Sequence, residues 1–189
     1  MADSVRSILR AIPSLTGSAP PLDTSSLPND PKNLFLQWIE EALSAGVQEP
    51  HAMTLSTVDS EGTPDARTLL LKDLNESGWA FASTASSRKG SQIAAQPAAA
   101  LSFWWQPVAR AVRVGGGVRE ASREESIADL RSRSPQAQSE VEENDWTLFY
   151  VQPIRVEFWQ GTPDRRHTRI VYTANNSTWT RELLPRPAR

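Results

Sequence analysis

AMTLSTVDSEGTPDARTLLLK, residues 52–72, holds two short runs rich in β-branched and apolar residues on either side of the polar turn Asp59-Ser60-Glu61-Gly62. Turn residues between two such runs predict an antiparallel hairpin. Working outward, strand and turn keep alternating. Asn75-Glu76-Ser77-Gly78 reads as the next turn and WAFAST (79–84) as the next strand. AAALSFWW (98–105) is a near-continuous apolar strand, turned at Gln106-Pro107 into ARAVRVGGGVREA (109–121). Gly115, Gly116 and Gly117 inside that strand pattern predict a bend or bulge, and no helix follows to make them a phosphate-cradling loop. TLFYVQPIRVEFW (147–159), TRIVYT (168–173) and STWTRELL (177–184) supply further strands. Six to eight strands joined by close hairpins, without regular alternation with helices, predict a mainly β fold built as an antiparallel barrel.

Helical signals are fewer. Asp30-Pro31 is a helix start, followed by Leu34, Phe35, Trp38, Ile39, Ala42 and Leu43 at helical spacing, with Gly46 as the stop. That apolar face reads as core. A short helix is predicted over Arg88–Gln96, and Ser122 with Glu125 forms a capping box opening another through about Arg133. SPQAQSEVEEND (134–145) reads as loop or frayed helix. Residues 1–29, with Pro13, Pro20, Pro21 and Pro28, read as a mobile arm carrying a short helix near Val5–Ile12, and residues 30–189 as one domain.

Composition narrows the function classes. The 189 residues contain no Cys and two His, which excludes disulfides, thiolate zinc, Cys nucleophiles and a multi-His metal site. A net charge of −2 gives no bulk attraction to nucleic acid. No apolar run is long enough to span a membrane, and the N-terminus lacks a signal-peptide core, so a cytoplasmic protein is expected. Of the 20 basic residues only Lys32, Lys72 and Lys89 are lysine.

Three constellations carry possible chemistry. In Ser86-Ser87-Arg88-Lys89-Gly90 a serine cap leaves free N–H groups at a helix start, where two cations are unfavourable unless an anion such as phosphate sits there. Arg67 and Lys72 flank a leucine run that offers a flat wall to a planar ring, but a spacing of five places them on opposite faces of a regular strand. In extended chain Arg165, His167 and Arg169 point to one side, and an anionic ligand relieves their mutual repulsion. For the first and third sets a solvated surface is the competing reading, and for the second a buried strand flanked by solvated charges.

Taken in order, the Asp30-Pro31 helix, the 52–72 hairpin, SRKG (87–90), the FWW strand, and EFWQG (157–161) followed by Arg165, His167 and Arg169 resemble the pyridoxamine 5′-phosphate oxidase family, over about residues 30–187. The resemblance implies an FMN-binding split barrel and a homodimer with FMN at the interface. It implies FMN contacts at Arg67, Thr68, Leu69, Leu70, Lys72, Ala82, Ser83, Arg88, Lys89, Trp159 and Arg169. Substrate contacts fall on Lys72, Arg133, Arg165 and His167, the last two also carrying the catalytic role. The implied reaction moves a hydride from pyridoxine or pyridoxamine 5′-phosphate to flavin, with oxygen as acceptor. Departures are equally specific. Ala111 stands where the family has a flavin-contacting Gln, and Asp129 and Ala137 stand where it has a Tyr and a Ser that hold substrate phosphate. The segment after Ala137 is short. These departures leave open oxidation of another heterocycle, as in phenazine-pathway relatives, or a non-catalytic flavin- or haem-binding barrel.

Overall fold

A computed structural model describes residues 4–184. Met1, Ala2, Asp3 and residues 185–189, which include the last part of the stretch 30–187 that carries the family resemblance, lie outside the described residues. The decisive hairpin forms as read: β1 (Ala52–Val58) pairs antiparallel with β2 (Pro64–Leu70), Leu55 opposite Arg67. Asp59 Oδ1 accepts the N–H groups of Glu61 and Thr63 at 3.0 and 2.8 Å, and Gly62 takes the positive φ of +87° that closes the turn.

β3 (Asp73–Asn75), β4 (Gly78–Thr84), β5 (Ala98–Trp105), β6 (Arg110–Glu120), β7 (Trp146–Gln160), β8 (Thr168–Asn175) and β9 (Thr178–Leu183) complete a single antiparallel sheet. Its order is β2-β1-β5-β6-β7-β4-β3, with β8 and β9 branching from β7. The chain closes the barrel itself. Leu71 N–H still donates to His51 O, whereas Lys72 N–H already donates to Ala80 O, so two residues carry it from β1 to β4. β7 belongs to both halves of the split barrel: residues 146–151 pair with β4 and residues 155–160 with β8. The expected bulge is present, the β6–β7 register shifting between Gly115 and Gly116. A Cβ on Gly116 would lie 2.0 Å from Gln152 O, so only glycine admits that approach.

Helix α2 (Pro31–Ser44) is capped by Asp30, whose side chain accepts Lys32 N–H at 2.8 Å, and it plugs the barrel with Leu34, Phe35, Trp38 and Ala42. Phe35 meets Trp79 edge-on at 4.5 Å between ring centroids, within a core that also holds Phe103, Trp105, Phe149 and Phe158. β4 alternates between two cores: Trp79 and Phe81 enter this one, Ala80 and Ala82 a smaller one under Leu130, Trp146 and Tyr150.

Local differences from the sequence reading are small. β3 occupies Asp73 and Leu74, which no predicted element covered, and Asn75, read as the start of a turn; α3 (Arg88–Ala95) and α4 (Arg123–Arg131) end one and two residues early, and α5 (Pro135–Ser139) forms in the stretch read as loop or frayed helix, capped by Ser134. Residues before α2, read as a mobile arm, run against the barrel. Ser18 N–H donates to Pro107 O at 2.9 Å, Tyr172 OH donates to Pro28 O at 2.7 Å, and Leu27 is buried. Helix α1 (Val5–Ala11) buries none of its side chains.

Candidate cofactor and substrate site

The first cluster lies where β4 turns into α3. Ser87 caps the helix, its Oγ accepting Gly90 N–H at 3.2 Å and lying 3.1 Å from Ser83 Oγ. Asp145 fixes the approach by accepting Ser86 N–H at 2.8 Å and Ser86 Oγ–H at 2.5 Å, bonds that hold its carboxyl below the usual range. Gly90 lies so close to Ala85 O that a Cβ would sit 2.2 Å away. Arg67 reaches this helix from β2, donating to Thr57 Oγ1 at 2.5 Å and Gln92 Oε1 at 3.0 Å and pairing with Asp65 at 2.9 Å. Arg88 shares Asp65 at 3.0 Å. Burial works against the Asp65 charge, but Ala66 N–H and the two guanidiniums outweigh it and hold the carboxyl below its ordinary range.

Lys89 is different. Among the described residues it has no hydrogen-bond or ion-pair partner, and burial together with the Arg67 charge lowers its pKa. Two guanidiniums thus share one carboxylate beside the Lys89 ammonium at a capped helix N-terminus, a donor set suited to a phosphate. Thr57, Asp65, Gln92 and Asp145 were not singled out from sequence; the i, i+2 spacing of Asp65 and Arg67 on one strand face was the available signal.

The second cluster flanks the outer face of β4. Lys72 Nζ is 3.6 Å from Asp129 Oδ1, and Asp129 Oδ2 accepts Trp146 Nε1–H at 2.9 Å. The Arg133 guanidinium lies 4.4 Å over the Trp146 ring and donates to Ala137 O at 3.2 Å. Lys72 and Arg133, two of the substrate contacts implied by the resemblance, therefore meet Asp129 and Ala137, which stand at its substrate-phosphate positions. Arg67 and Lys72 are separated by the crossing from β1 to β4, not merely by opposite strand faces.

The third cluster lies at the far end of β7. Ala111, Trp159 and Arg169 stand in one cross-strand row, and Trp104 pairs with Ala111 from the other side. Trp159 contacts Trp104 and His167 at 6.0 and 4.9 Å between ring centroids. His167 Nδ1 accepts Thr162 N–H at 3.1 Å, so the neutral ring carries its proton on Nε2. The expected alternation of Arg165, His167 and Arg169 does not form, because β8 begins only at Thr168 and Arg165 is exposed in a turn with φ +60°.

Arg169 is organised by a residue the sequence reading passed over. Glu157, 2% exposed, pairs with Arg113, with Arg155 at 2.8 Å and with Arg169 at 3.2 Å. Burial raises its pKa, but the arginine bonds outweigh that and lower it. A groove of about 460 Å³ beside this cluster is lined by Thr24, Arg166, His167, Thr168, Arg169, Leu183 and Leu184. A larger cavity of about 830 Å³, between Lys32, Glu76 and Trp179, touches none of the three clusters.

Of the leucine wall, Leu69 packs against the core while Leu70 is 40% exposed beside the exposed Thr68. Trp104, on the same sheet, is 51% exposed. Ser83 faces Thr147 across β4 and β7, and Trp159 is twelve residues farther along β7, roughly 40 Å of extended strand.

Comparison with known proteins meets this geometry. A family model described as pyridoxamine 5′-phosphate oxidase matches residues 39–160. The chain belongs to that family. Membership places it among FMN-dependent oxidoreductases. A second model, described as the pyridoxine 5′-phosphate oxidase C-terminal dimerisation region, matches residues 146–185, which include β7, β8 and β9. The chain is 36% identical to the pyridoxine/pyridoxamine 5′-phosphate oxidase of Pseudomonas paraeruginosa, the alignment covering 86% of this chain and 92% of the relative. Among solved structures, PhzG from Burkholderia lata 383 in complex with tetrahydrophenazine-1-carboxylic acid superimposes with a TM-score of 0.81 at 21% identity, covering 89% of this chain and 99% of that one. A pyridoxamine 5′-phosphate oxidase-related, FMN-binding protein from Nostoc punctiforme gives 0.68 at 19% identity, over 85% of this chain and 100% of that one. These likenesses establish the split-barrel fold.

Proposed function

We propose that the chain is a homodimeric, FMN-dependent oxidase of a small anionic ring substrate, with pyridoxamine or pyridoxine 5′-phosphate as the substrate and oxygen as the acceptor. The observation that carries this reading is Lys89, without a hydrogen-bond or ion-pair partner among the described residues, beside Arg67 at the capped start of α3. Arg67, Arg88, Lys89 and Ser83 would hold the FMN phosphate, with Thr68, Leu69, Leu70, Lys72 and Ala82 along the adjoining strands. Trp159 and Arg169 would come from a second copy, a reading favoured by their place at the far end of β7, up to roughly 40 Å of strand from the α3 cluster. The dimerisation-region match over 146–185 and the exposed Leu70 and Trp104 support that assembly.

Bound flavin supplies a two-electron acceptor for hydride. The protein's own residues then bind, orient and exclude water. Glu157 keeps Arg169 in place between two other guanidiniums. His167, its Nδ1 fixed by Thr162 N–H, presents Nε2–H as the donor that orients substrate, with Arg165 beside it in sequence. Lys72 and Arg133 hold the substrate anion, while α4 and Trp146 cover that end of β4. The Asp129–Lys72 pair favours a second reading, the same chemistry on a different heterocycle.

The purified protein should show a flavin absorption spectrum, release FMN on denaturation, and form hydrogen peroxide with pyridoxal 5′-phosphate from pyridoxine 5′-phosphate. A colourless protein that takes up no added FMN overturns the proposal; a flavin-loaded protein inert toward both B6 phosphates refutes the first substrate and leaves the second reading.

A further inference from the structure

We propose that Trp104 is a flavin-contacting residue of this chain, its indole joining that of Trp159 in one aromatic wall against the ring end of FMN. The inference rests on the functional reading above and adds to that site a residue outside the positions implied by the resemblance. Strand register supplies the first argument. Trp104 stands opposite Ala111, Ala111 opposite Trp159, and Trp159 opposite Arg169. Directly opposed residues share a face of the sheet, so all four project to one side. Thr68 and Leu70 project to that side as well. Thr68 is opposite Thr54, Thr54 is opposite Ser102, and Ser102 is two residues from Trp104. One face therefore carries Thr68 and Leu70 toward one edge and Trp159 and Arg169 toward the other, with Trp104 between them.

The second argument is how closely the two indoles approach. Strands β5 and β7 flank β6 and so lie roughly 9.5 Å apart. The Trp104 and Trp159 ring centroids are only 6.0 Å apart. The rings lean toward each other over Ala111, whose methyl leaves the room; a longer side chain there would hold them apart. Trp159 in turn meets His167 at 4.9 Å, so Trp104 extends a row of rings that leads to the group placed at the substrate.

Exposure is the third. Of the seven tryptophans, all within the described residues, Trp104 alone is exposed, at 51%. Its indole N–H has no hydrogen-bond partner among the described residues. Trp105 next to it shows the ordinary core arrangement, 1% exposed with its N–H donating to Pro50 O at 2.9 Å. A half-bare indole with a free donor, set beside Trp159, offers a flat heterocycle both a stacking surface and a hydrogen bond.

The test follows bound FMN itself, because an indole touching a flavin quenches its emission and a phenyl ring does not. In a Trp159→Phe chain, bound FMN should stay dim, since Trp104 remains. Adding Trp104→Phe should raise that emission severalfold and lengthen its lifetime. Phenylalanine keeps a packing ring, so the dimer should persist in sedimentation velocity and FMN affinity should stay within about threefold. In the otherwise native chain, Trp104→Ala should weaken FMN binding by roughly tenfold. Emission unchanged between the Trp159→Phe chain and the double variant overturns the proposal and leaves Trp104 a packing residue between copies. Trp104→Ala affinity within about twofold of native also overturns it. A native chain that takes up no FMN instead overturns the functional reading on which the proposal rests.

Discussion

Replacing Lys89 with methionine keeps most of the side-chain stem and removes the ammonium. Among the described residues that ammonium has no hydrogen-bond or ion-pair partner; it is partly buried and feels the Arg67 charge, so it gains its interaction when an anion arrives. A charge-assisted hydrogen bond to a phosphate oxygen contributes about 1.5–3 kcal/mol. Lys89→Met should therefore weaken FMN binding by roughly 10- to 150-fold. The flavin-free protein should lose no stability. Burial and the Arg67 charge depress the Lys89 pKa below its unfolded 10.5, so at alkaline pH the unfolded state binds more protons than the folded state. Stability of the flavin-free native chain should then rise as pH climbs through the depressed value toward 10.5, and the variant should lack that increment. Fluorescence titration with FMN gives the affinity, and thermal melts of the flavin-free proteins from pH 7 to about 10.5 give the stability. Affinity unchanged within about twofold, or a loss of affinity matched by a loss of flavin-free stability, would refute the reasoning.

Other perturbations address the remaining parts. Glu157→Gln removes the buried carboxylate that three half-exposed arginines share and should cost roughly 1.5–3 kcal/mol in denaturant unfolding. Because the Glu157 pKa is lowered on folding, its contribution is present above the unfolded value near 4.5 and is lost as pH falls through the depressed folded one; acid titration of native and variant stability should converge there. His167→Ala should retain FMN affinity within about twofold while turnover falls by roughly 100-fold or more, read by equilibrium titration and stopped-flow flavin reduction. Gly116→Ala forces a Cβ to 2.0 Å from Gln152 O and should destabilise the protein by about 2 kcal/mol or more, measured by urea unfolding.

Much of the fold was legible because its signals are local. The turn at Asp59–Gly62, the Asp30-Pro31 start of α2, the Ser87 cap and the Ser122–Glu125 capping box each act within a few residues, and each forms. β3 and α5 escaped because a three-residue strand and a five-residue helix have too few residues to show a period. Pairing of β4 with β7 joins residues nearly seventy positions apart, and nothing in either segment names the other. The site divides in the same way. The phosphate-like cluster at α3 could be inferred from cations crowding a serine cap, which is a local conflict. Asp129 against Lys72, and Glu157 gathering Arg113, Arg155 and Arg169, are long-range pairings, visible only once the strands are laid in register.

The central claim is that one flavin is held by both copies, its phosphate by Arg67, Arg88 and Lys89 of one and its ring side by Trp159 and Arg169 of the other. Co-expression of Lys89→Met and Arg169→Ala chains, followed by FMN titration of the purified dimers, tests it directly. Random pairing makes half of the dimers mixed, and each mixed dimer carries one site with both native halves. About a quarter of all sites should then bind FMN with native affinity, although neither variant alone does so. If the mixed preparation shows no native-affinity fraction while both variants still form dimers, the site is not shared and the account fails.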